Sequence, residues 1–302
     1  MDDITNTQKF IKKVLRNKSN ETYEWFYRGH YEKGHSLEPK LFRKPPHKKS
    51  EDRLFREIQV LNPLDFAGDI STLDKLVRMQ HYSLPTRLLD ITSNPLIALY
   101  FACKNPDHKE TANAEGNGGE VIVLRIKRKY VKFYDSDTGS CLANLANLGY
   151  SEKEKIEKWI CAQKREVIDS LYDDENDTKG DQNIYRKKFR ELTGRLLHFI
   201  KQEKPYFLPI IQPDHLKSVI CVRTKFNNTR ITSQVGAFLL FGLDATLPDT
   251  GNADIEIKRI PISSKKKVIL RELDTLNINE STVSPYIENS AEYLAAKYGG
   301  KS

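Results

Sequence analysis

A short strand followed directly by an apolar helix constrains the fold more than any other part of the sequence. In residues 88–92 (LLDIT), the side chains of a strand would alternate between two faces. Ser93 or Asn94 is a suitable helix cap, and Pro95 suits the first turn that follows. Residues 96–102 (LIALYFA) are apolar on nearly every side of that helix. A helix without a polar face is expected to be buried, so we predict that this segment belongs to a protein core.

Other segments follow helical or strand periodicity, and together they predict a mixed α+β protein. Further strands are predicted at residues 23–29, 120–126, 206–212, 219–222, 237–241 and 255–262. Further helices are predicted at residues 5–18, 50–62 and 265–276, from residue 71 onward, and at 285–298. Loops are predicted at residues 34–50 and 105–119. Between residues 145 and 204, sparse apolar positions at helical spacing predict a helical insertion, interrupted by a polar loop at 173–183.

The composition allows a well-formed core beneath a highly charged surface. The chain has 302 residues, of which 38% are hydrophobic and 30% are charged. This length suits one large domain or a core domain with an insertion. The formal net charge of +8 favours polyanionic partners such as RNA, DNA or nucleotides, although many basic soluble proteins carry a similar excess. The cations are spread along the chain and form no basic tail.

The cysteines and the apolar segments indicate a reducing, membrane-free setting. The four cysteines are widely spaced, and they form neither a CxxC pair nor a cluster with zinc spacing. The sequence has no run of about 18 apolar residues, so no membrane span is predicted. The first residues lack the apolar region of a signal peptide. We therefore expect a cytoplasmic protein that does not contact membranes.

The first of three polar clusters comprises Tyr27, Arg28, Gly29 and His30, at the end of a predicted strand. Arg28 stays charged and presents five donors in a rigid fork, which suits a phosphate or a carboxylate. A strand end would hold this side chain at the edge of a cleft. The alternative is an arginine that pairs with a nearby acid and only holds the loop in place.

The second cluster contains Gln80, His81, Arg87, Asp90 and Thr92. Asp90 and Thr92 would project from one face of a strand near the start of the buried helix. The free N–H groups of a helix N-terminus suit anions or polar ligand groups, and His81 is a candidate proton carrier or ligand donor. The alternative is that His81 is structural and that Asp90 pairs with Arg87 or with the arginine of the first cluster.

The third cluster, at residues 230–236, leads into an apolar strand. Gln234 is a candidate to present its amide to a ligand sugar or base, and Gly236 would allow a close approach. The alternative is a structural glutamine that satisfies a backbone group. The sequence contains no Walker A loop, GxGxxG fingerprint, HExxH motif or GxSxG elbow. The basic runs at residues 125–129 and 265–267 are solvated ends of elements or additional phosphate contacts.

The three clusters resemble the FRG domain, a family associated with bacteria and phages and named for a Phe-Arg-Gly motif. Here that motif is Tyr27-Arg28-Gly29, with Tyr in place of Phe. Residues 79–90, 94–102 and 228–238 resemble further parts of the family's core. The resemblance implies a single FRG-like domain over residues 1–302, with its core at about 20–144 and 205–280, the helical insertion at about 145–204 and the C-terminal helix at about 285–298.

The order of the clusters also resembles, more distantly, that of the ADP-ribosyltransferases. Those proteins have an arginine on a first strand, a Ser-Thr-Ser strand leading into a helix with an Ala-x-x-Phe pattern, and a glutamate near a late strand. The matching positions here are Arg28, residues 90–92, residues 98–101 and Gln234. The Ser-Thr-Ser motif is absent, and Gln234 stands where the glutamate is expected. A neutral glutamine can hold a ribose, but it stabilises a developing positive charge less than a carboxylate does.

The resemblance implies a mainly antiparallel α+β fold with an ADP-ribosyltransferase-like core, and NAD as both ligand and substrate. The implied catalytic residues are Arg28, His81 and Gln234. The implied NAD-binding residues are Tyr27, Arg28, Gly29, Arg87, Asp90 and Thr92, and no metal is implied. The expected activity is NAD cleavage, or transfer of ADP-ribose to a nucleic-acid or protein acceptor, by a toxin or an antiphage effector.

Two other functions compete with this expectation. One is a non-catalytic module that binds nucleic acid, or regulates, through its basic surface and is indifferent to Gln234. The other is an inactive relative that serves as a protein-interaction platform, with the helices of residues 145–204 as its docking surface.

Overall fold

The computed structural model describes residues 3–16, 22–105, 118–171, 180–225, 233–234, 236–286, 291 and 293–294. The strands are β1 (Tyr23–His30), β2 (Leu88–Thr92), β3 (Glu120–Lys127), β4 (Val131–Phe133), β5 (Val219–Arg223), β6 (Gly236–Phe241) and β7 (Ile255–Pro261). The helices are α1 (Thr7–Leu15), α2 (Pro45–Lys49), α3 (Glu51–Leu61), α4 (Pro63–Phe66), α5 (Thr72–His81), α6 (Pro95–Cys103), α7 (Asp137–Asn144), α8 (Tyr150–Ala162), α9 (Arg165–Ser170), α10 (Gly180–Glu203), α11 (Pro213–Leu216), α12 (Lys266–Thr275) and α13 (Glu280–Val283).

The seven strands form one mixed sheet in the order β4-β5-β6-β2-β1-β3-β7. Only β4 and β5 run parallel, and the other neighbours are antiparallel. The α+β class and the mainly antiparallel sheet are therefore confirmed. In the middle of the sheet, β1 and β2 are in register at a single pair, Tyr27 with Thr92. By contrast, β1 pairs with β3 along all eight of its residues. The sheet thus consists of two halves that meet at one point.

Three apolar clusters cover the faces of these half-sheets. One lies between β2, β5 and β6 and the helices α5, α7, α8 and α10. A second lies between β1 and β3 and the helices α1, α6 and α12. The third contains residues from both halves, including Phe26 of β1 and Leu239 of β6. Because both halves contribute to the third cluster, the sheet must curl, and its two halves enclose a common interior.

Helix α6 is buried as the sequence predicts, and Asn94 rather than Ser93 caps it. The Asn94 side-chain oxygen accepts from the backbone N–H of Leu96 at 2.9 Å. The helix packs directly on β1 at Gly29, where a Cβ atom would lie only 2.0 Å from the carbonyl oxygen of Ala98. At Gly119, beside β3, a Cβ atom would lie 2.3 Å from the carbonyl oxygen of Ala102. Small residues on both partners therefore let helix and sheet approach at backbone distance.

Several expectations need correction. Residues 206–212 form no strand: Pro209 interrupts the segment and Pro205 and Pro213 flank it, and prolines lack the N–H groups that a ladder needs. Within the predicted loop at 34–50, residues Pro45–Lys49 form the short helix α2.

The expected helices between 145 and 204 are present as α8, α9 and α10. Their apolar residues, including Ile156 and Leu196, are part of the cluster that covers β5 and β6. These helices therefore cover the sheet with most of their apolar residues, whereas Ile184 and Tyr185 of α10 remain exposed.

Some expectations lie outside the described residues. They concern the loop at 106–117, most of the polar loop at 173–183, residues 226–232, and most of the helix expected at 285–298. In the part of the chain that the structure describes, no helix has both the length and the apolar character needed to cross a bilayer. All four cysteines are unpaired, and three of them are buried.

Candidate functional site

A cavity of about 450 Å³ opens where β1 and β2 diverge. This volume falls within the range of about 300–1,000 Å³ that is usual for small-molecule sites. Six of the eight site residues predicted from the sequence line it, and they come from all three polar clusters. The six are Tyr27, Arg28, Gly29, Asp90, Thr92 and Gln234. The fold therefore brings together residues that are up to about 200 positions apart in the sequence.

Arg28 spans the gap at which the two strands stop pairing. Its Nη1 donates to the backbone oxygen of Asp90 on β2 at 2.6 Å. Its Nε donates to Nε2 of His30 on its own strand at 3.1 Å. No described residue accepts from Nη2, although the guanidinium lines the cavity. Burial lowers the pKa of Arg28 against the attraction of the Asp90 carboxylate, but an arginine stays charged at any physiological pH. The cavity therefore contains a fixed cation with donors to spare.

His30, on β1, links Arg28 to a buried ionic network. Because its Nε2 accepts from Arg28, the proton must reside on Nδ1, which lies 3.3 Å from Glu120 Oε1. The same carboxylate oxygen accepts from Nη1 of Arg259 at 2.5 Å and from the backbone of Gly34 at 3.2 Å. Burial alone would raise the pKa of Glu120, but the His30 hydrogen bond and the charge of Arg259 lower it overall. This network holds the arginine of the cavity in one orientation.

Titration of His30 is expected to lower the stability of the protein in mild acid. Burial, reinforced by the positive charge of Arg28, lowers the pKa of His30 from its ordinary value of 6.5. As pH falls below about 6.5, the unfolded chain binds this proton before the folded chain does, so the free energy of unfolding decreases. The slope approaches about 1.4 kcal/mol per pH unit at most. Chemical denaturation between pH 7 and pH 5 would measure it.

His30→Asn is the matched variant, because asparagine retains a donor toward Glu120 and does not titrate. His215 also has a pKa lowered by burial and contributes with the same sign. The comparison must therefore be between wild type and His30→Asn, and the variant should show the shallower slope. Equal slopes in the two proteins would contradict a lowered pKa at His30.

The Asp90 side chain is held by another residue of the second cluster, Gln80. Its carboxylate accepts from Gln80 Nε2 at 2.7 Å, and Gln80 in turn accepts from the Thr86 hydroxyl at 2.8 Å. The Arg28 guanidinium bonds the backbone oxygen of Asp90. The carboxylate of Asp90 is therefore positioned at the cavity wall by a neutral amide.

Thr92 and Gln234 join β2 to the third cluster. The Thr92 hydroxyl donates to the backbone oxygen of Gln234 at 2.5 Å and accepts from Asn94 N at 3.0 Å. The Gln234 side chain donates through Nε2 to the carbonyl of Val283 at 3.0 Å. The amide nitrogen therefore has a structural partner, as the alternative interpretation expected. No described residue donates to Oε1 of Gln234, which leaves that oxygen able to accept from a ligand hydroxyl.

Two predicted site residues do not line the cavity. Arg87 is 1% exposed and donates twice to the Glu51 carboxylate, at 2.8 and 2.5 Å. It also donates to the carbonyls of Phe241 and Gly242, so it holds α3 to the end of β6. The ring of His81 stacks on that of Tyr286, with centroids 5.4 Å apart. Its neighbour Gln80 is the residue of α5 that reaches the cavity.

Sequence reasoning missed three further charged residues of the cavity wall, Lys40, Lys104 and Glu280. Lys104 follows α6, and its Nζ donates to Oε2 of Glu280, at the start of α13, at 2.5 Å. Burial, with an added contribution from Glu280, raises the pKa of the nearby Tyr100. No local motif marks Glu280, because only the tertiary fold brings the start of α13 to Lys104 at the end of α6.

The fold and cavity define the class of the protein: an α+β domain with a polar cavity at the divergence of two central strands. Residues 23–111 match the model of the FRG domain, as the motifs of the sequence predict. The matched segment begins with β1 and includes β2 and α6, which together supply Arg28, Asp90 and Thr92. Gln234 lies beyond it. Neither a curated protein nor a solved structure matches the chain.

Proposed function

We propose that the cavity binds a nucleotide, with NAD as the leading ligand, and that the chain is an ADP-ribosyltransferase-like protein. The observation that carries the proposal is the Arg28 guanidinium, which is held rigidly at the point where β1 and β2 separate. It lines the cavity, and its Nη2 donates to no described residue. A fixed guanidinium in a half-buried cavity is well suited to a diphosphate, which it can bind through two parallel hydrogen bonds.

The rest of the cavity wall suits the other parts of a dinucleotide. Ile97, Tyr100 and Phe101 of α6 offer apolar and aromatic surface for a base. Thr92 and Gln234 lie on the same wall, where Oε1 of Gln234 can accept from a ribose hydroxyl. The position of the arginine on β1, and of a buried helix directly after β2, supports an ADP-ribosyltransferase-like core.

The proposed reaction breaks the bond between the nicotinamide nitrogen and C1′ of the ribose. The bonding electron pair leaves with nicotinamide, and water or an acceptor nucleophile forms the new bond to C1′ and releases its proton. Gln234 is neutral, so it would orient the ribose without compensating the positive charge that develops. The carboxylates of Asp90 and Glu280 line the same cavity, and they are the groups proposed to supply negative charge. A toxin or an antiphage effector in the bacterial cytoplasm is the proposed setting.

Mixing the purified chain with NAD is expected to raise its melting temperature and to release nicotinamide. Arg28→Ala should abolish turnover and weaken NAD binding about 10- to 150-fold, since a hydrogen bond to a charged group contributes about 1.5–3 kcal/mol. Calorimetric titration gives the binding constant, and chromatographic detection of nicotinamide gives the rate.

Arg195→Ala is the matched control, because it removes an arginine that pairs with Glu152 at the surface of α10, outside the cavity wall. It should bind and turn over NAD like the wild type. Binding of NAD without release of nicotinamide would support a nucleotide-binding site and refute the proposed cleavage reaction. No binding of NAD, of other nucleotides or of ADP-ribose would refute the proposal as a whole.

A further inference from the structure

A basic and aromatic surface lies at the opposite end of β1 and β3 from the cavity. The two strands pair His30 with Glu120 beside the cavity and Tyr23 with Lys127 at the other end. The two pairs are seven positions apart along each strand, which corresponds to roughly 23 Å. The chain then continues from β3 into β4, the terminal strand of the sheet. We call residues 125–134, from the last part of β3 through β4, the basic edge.

The basic edge contains five cations and no acid in ten residues. The cations are Arg125, Lys127, Arg128, Lys129 and Lys132. Neighbouring elements neutralise some of them: Glu256 pairs with Arg125, Asp254 with Lys127, and Glu24 with Arg128. Neither Lys129 nor Lys132 has an ion-pair partner within the described ranges. The edge therefore retains positive charge after its internal pairs are taken into account.

Three aromatic residues lie among these cations, and two of them, Phe133 and Tyr134, are exposed. Phe133 is 60% exposed and Tyr134 is 37% exposed. The Nζ atom of Lys129 lies 5.0 Å from the centroid of the Tyr130 ring. A phenyl ring this exposed contributes little to the folded core, yet its face is available for stacking. The neighbouring Lys225 lies 4.5 Å from the centroid of the Tyr134 ring and also pairs with the buried carboxylate of Asp74 at 3.7 Å.

We propose that the basic edge binds single-stranded nucleic acid. Cations spaced along an extended segment can contact successive phosphates, and exposed rings between them can stack on bases. A duplex hides the faces of its bases inside its own stack, so the aromatic side chains favour a single strand. The inference does not rest on the nucleotide cavity, from which the basic edge is separated by the length of β1.

Fluorescence anisotropy on the full chain tests this proposal with labelled oligothymidylate, oligouridylate and a duplex. Probes of about 12 nucleotides fall within the usual range of about 4–16 for single-strand sites. The single strands should bind more tightly than the duplex, and binding should weaken as salt increases. Phe133→Ala should weaken binding about tenfold with little change in salt dependence, because it removes a stacking surface. The DNA and RNA probes distinguish which nucleic acid is preferred.

The double variant Lys129→Ala, Lys132→Ala should reduce the slope of log affinity against log salt by about 1.4, or about 0.7 for each phosphate that no longer meets a lysine. Its matched control is Lys187→Ala, Lys188→Ala, which removes two exposed lysines of α10 and should leave the slope unchanged. Arg28→Ala should also bind like the wild type. The proposal is overturned if no probe binds at low salt, if the duplex binds better, or if both lysine pairs have the same effect.

Discussion

Gly29→Ala is expected to destabilise the protein by at least about 3 kcal/mol, because it inserts an atom between a strand and a helix in backbone contact. The new Cβ would lie 2.0 Å from the carbonyl oxygen of Ala98 and 2.6 Å from the backbone nitrogen of Ala102. Overpacking against mobile side chains typically costs about 1–3 kcal/mol. Here the obstacle is the backbone of α6, so relief requires the whole helix to move away from β1. We expect a fall in Tm of roughly 5–10 °C.

Gly68→Ala is the matched control for this prediction. A Cβ at Gly68 meets no atom within 4 Å, so its Tm should remain within about 2 °C of the wild type. Thermal unfolding followed by circular dichroism measures both variants. If Gly29→Ala melts like the control, the close packing of α6 on β1 is wrong, and the glycine of the Tyr-Arg-Gly motif then needs an explanation at the ligand. If the Gly29→Ala variant is fully folded but binds no nucleotide, the glycine is likewise required for the ligand rather than for packing.

Glu51→Gln is expected to cost about 3–5 kcal/mol, because it leaves two buried cations without their shared anion. Glu51 accepts from Arg87 at 2.8 and 2.5 Å and from Lys153 at 2.6 Å. Burial alone would raise the pKa of Glu51, but the charges of Arg87 and Lys153 lower it to about 2. Glutamine has the same shape, so the effect measures charge rather than packing. Denaturant unfolding at pH 7 gives the difference in the free energy of unfolding.

The same lowered pKa determines how the wild type responds to strong acid. Stability from this cluster is fully present above pH 4.5, the ordinary value for glutamate, and is lost as pH falls toward about 2. Glu51→Gln should lack this component of the acid transition. Glu191→Gln is the control, since Glu191 and Lys188 are exposed and 3.6 Å apart, and such a pair contributes about 1 kcal/mol at most.

A second variant tests the origin of the effect. If the loss in Glu51→Gln arises from repulsion between Arg87 and Lys153, adding Lys153→Met should recover part of it, and the two changes should be clearly non-additive. Strict additivity, or a loss no larger than that of Glu191→Gln, would mean that the buried charges are not coupled as the distances indicate.

Local sequence was sufficient to predict most elements, because their signals are short-range. The cap and first turn of α6 are set by Asn94 and Pro95, and its apolar composition predicts burial. The helix predicted from residue 71 onward is α5, and its capping box is formed by Ser71 and Asp74, three residues apart. The failure at residues 206–212 has the same local origin, since the prolines that break the strand are visible in the sequence.

The roles of individual polar residues could not be predicted in the same way. Arg28 and Arg87 both stand in dense polar motifs and both suit an anion. One spans the gap between β1 and β2 beside the cavity, and the other is enclosed with Glu51 beneath α3. Gln80 and His81 are adjacent on α5, yet only Gln80 reaches the cavity wall. The difference lies in which neighbours each side chain meets.

The sequence by itself therefore determined most of the elements, the burial of α6, and the Tyr27-Arg28-Gly29 motif, which lies in the segment that matches the FRG domain. These properties depend on periodicity, capping and motif, which act over a few residues. The tertiary structure alone decided that β1 and β2 meet at one pair, that a cavity opens beside it, and that Glu280 joins its wall. Strand pairing and cavity shape depend on contacts between residues 60 to 250 positions apart, and no local pattern specifies which of those contacts form.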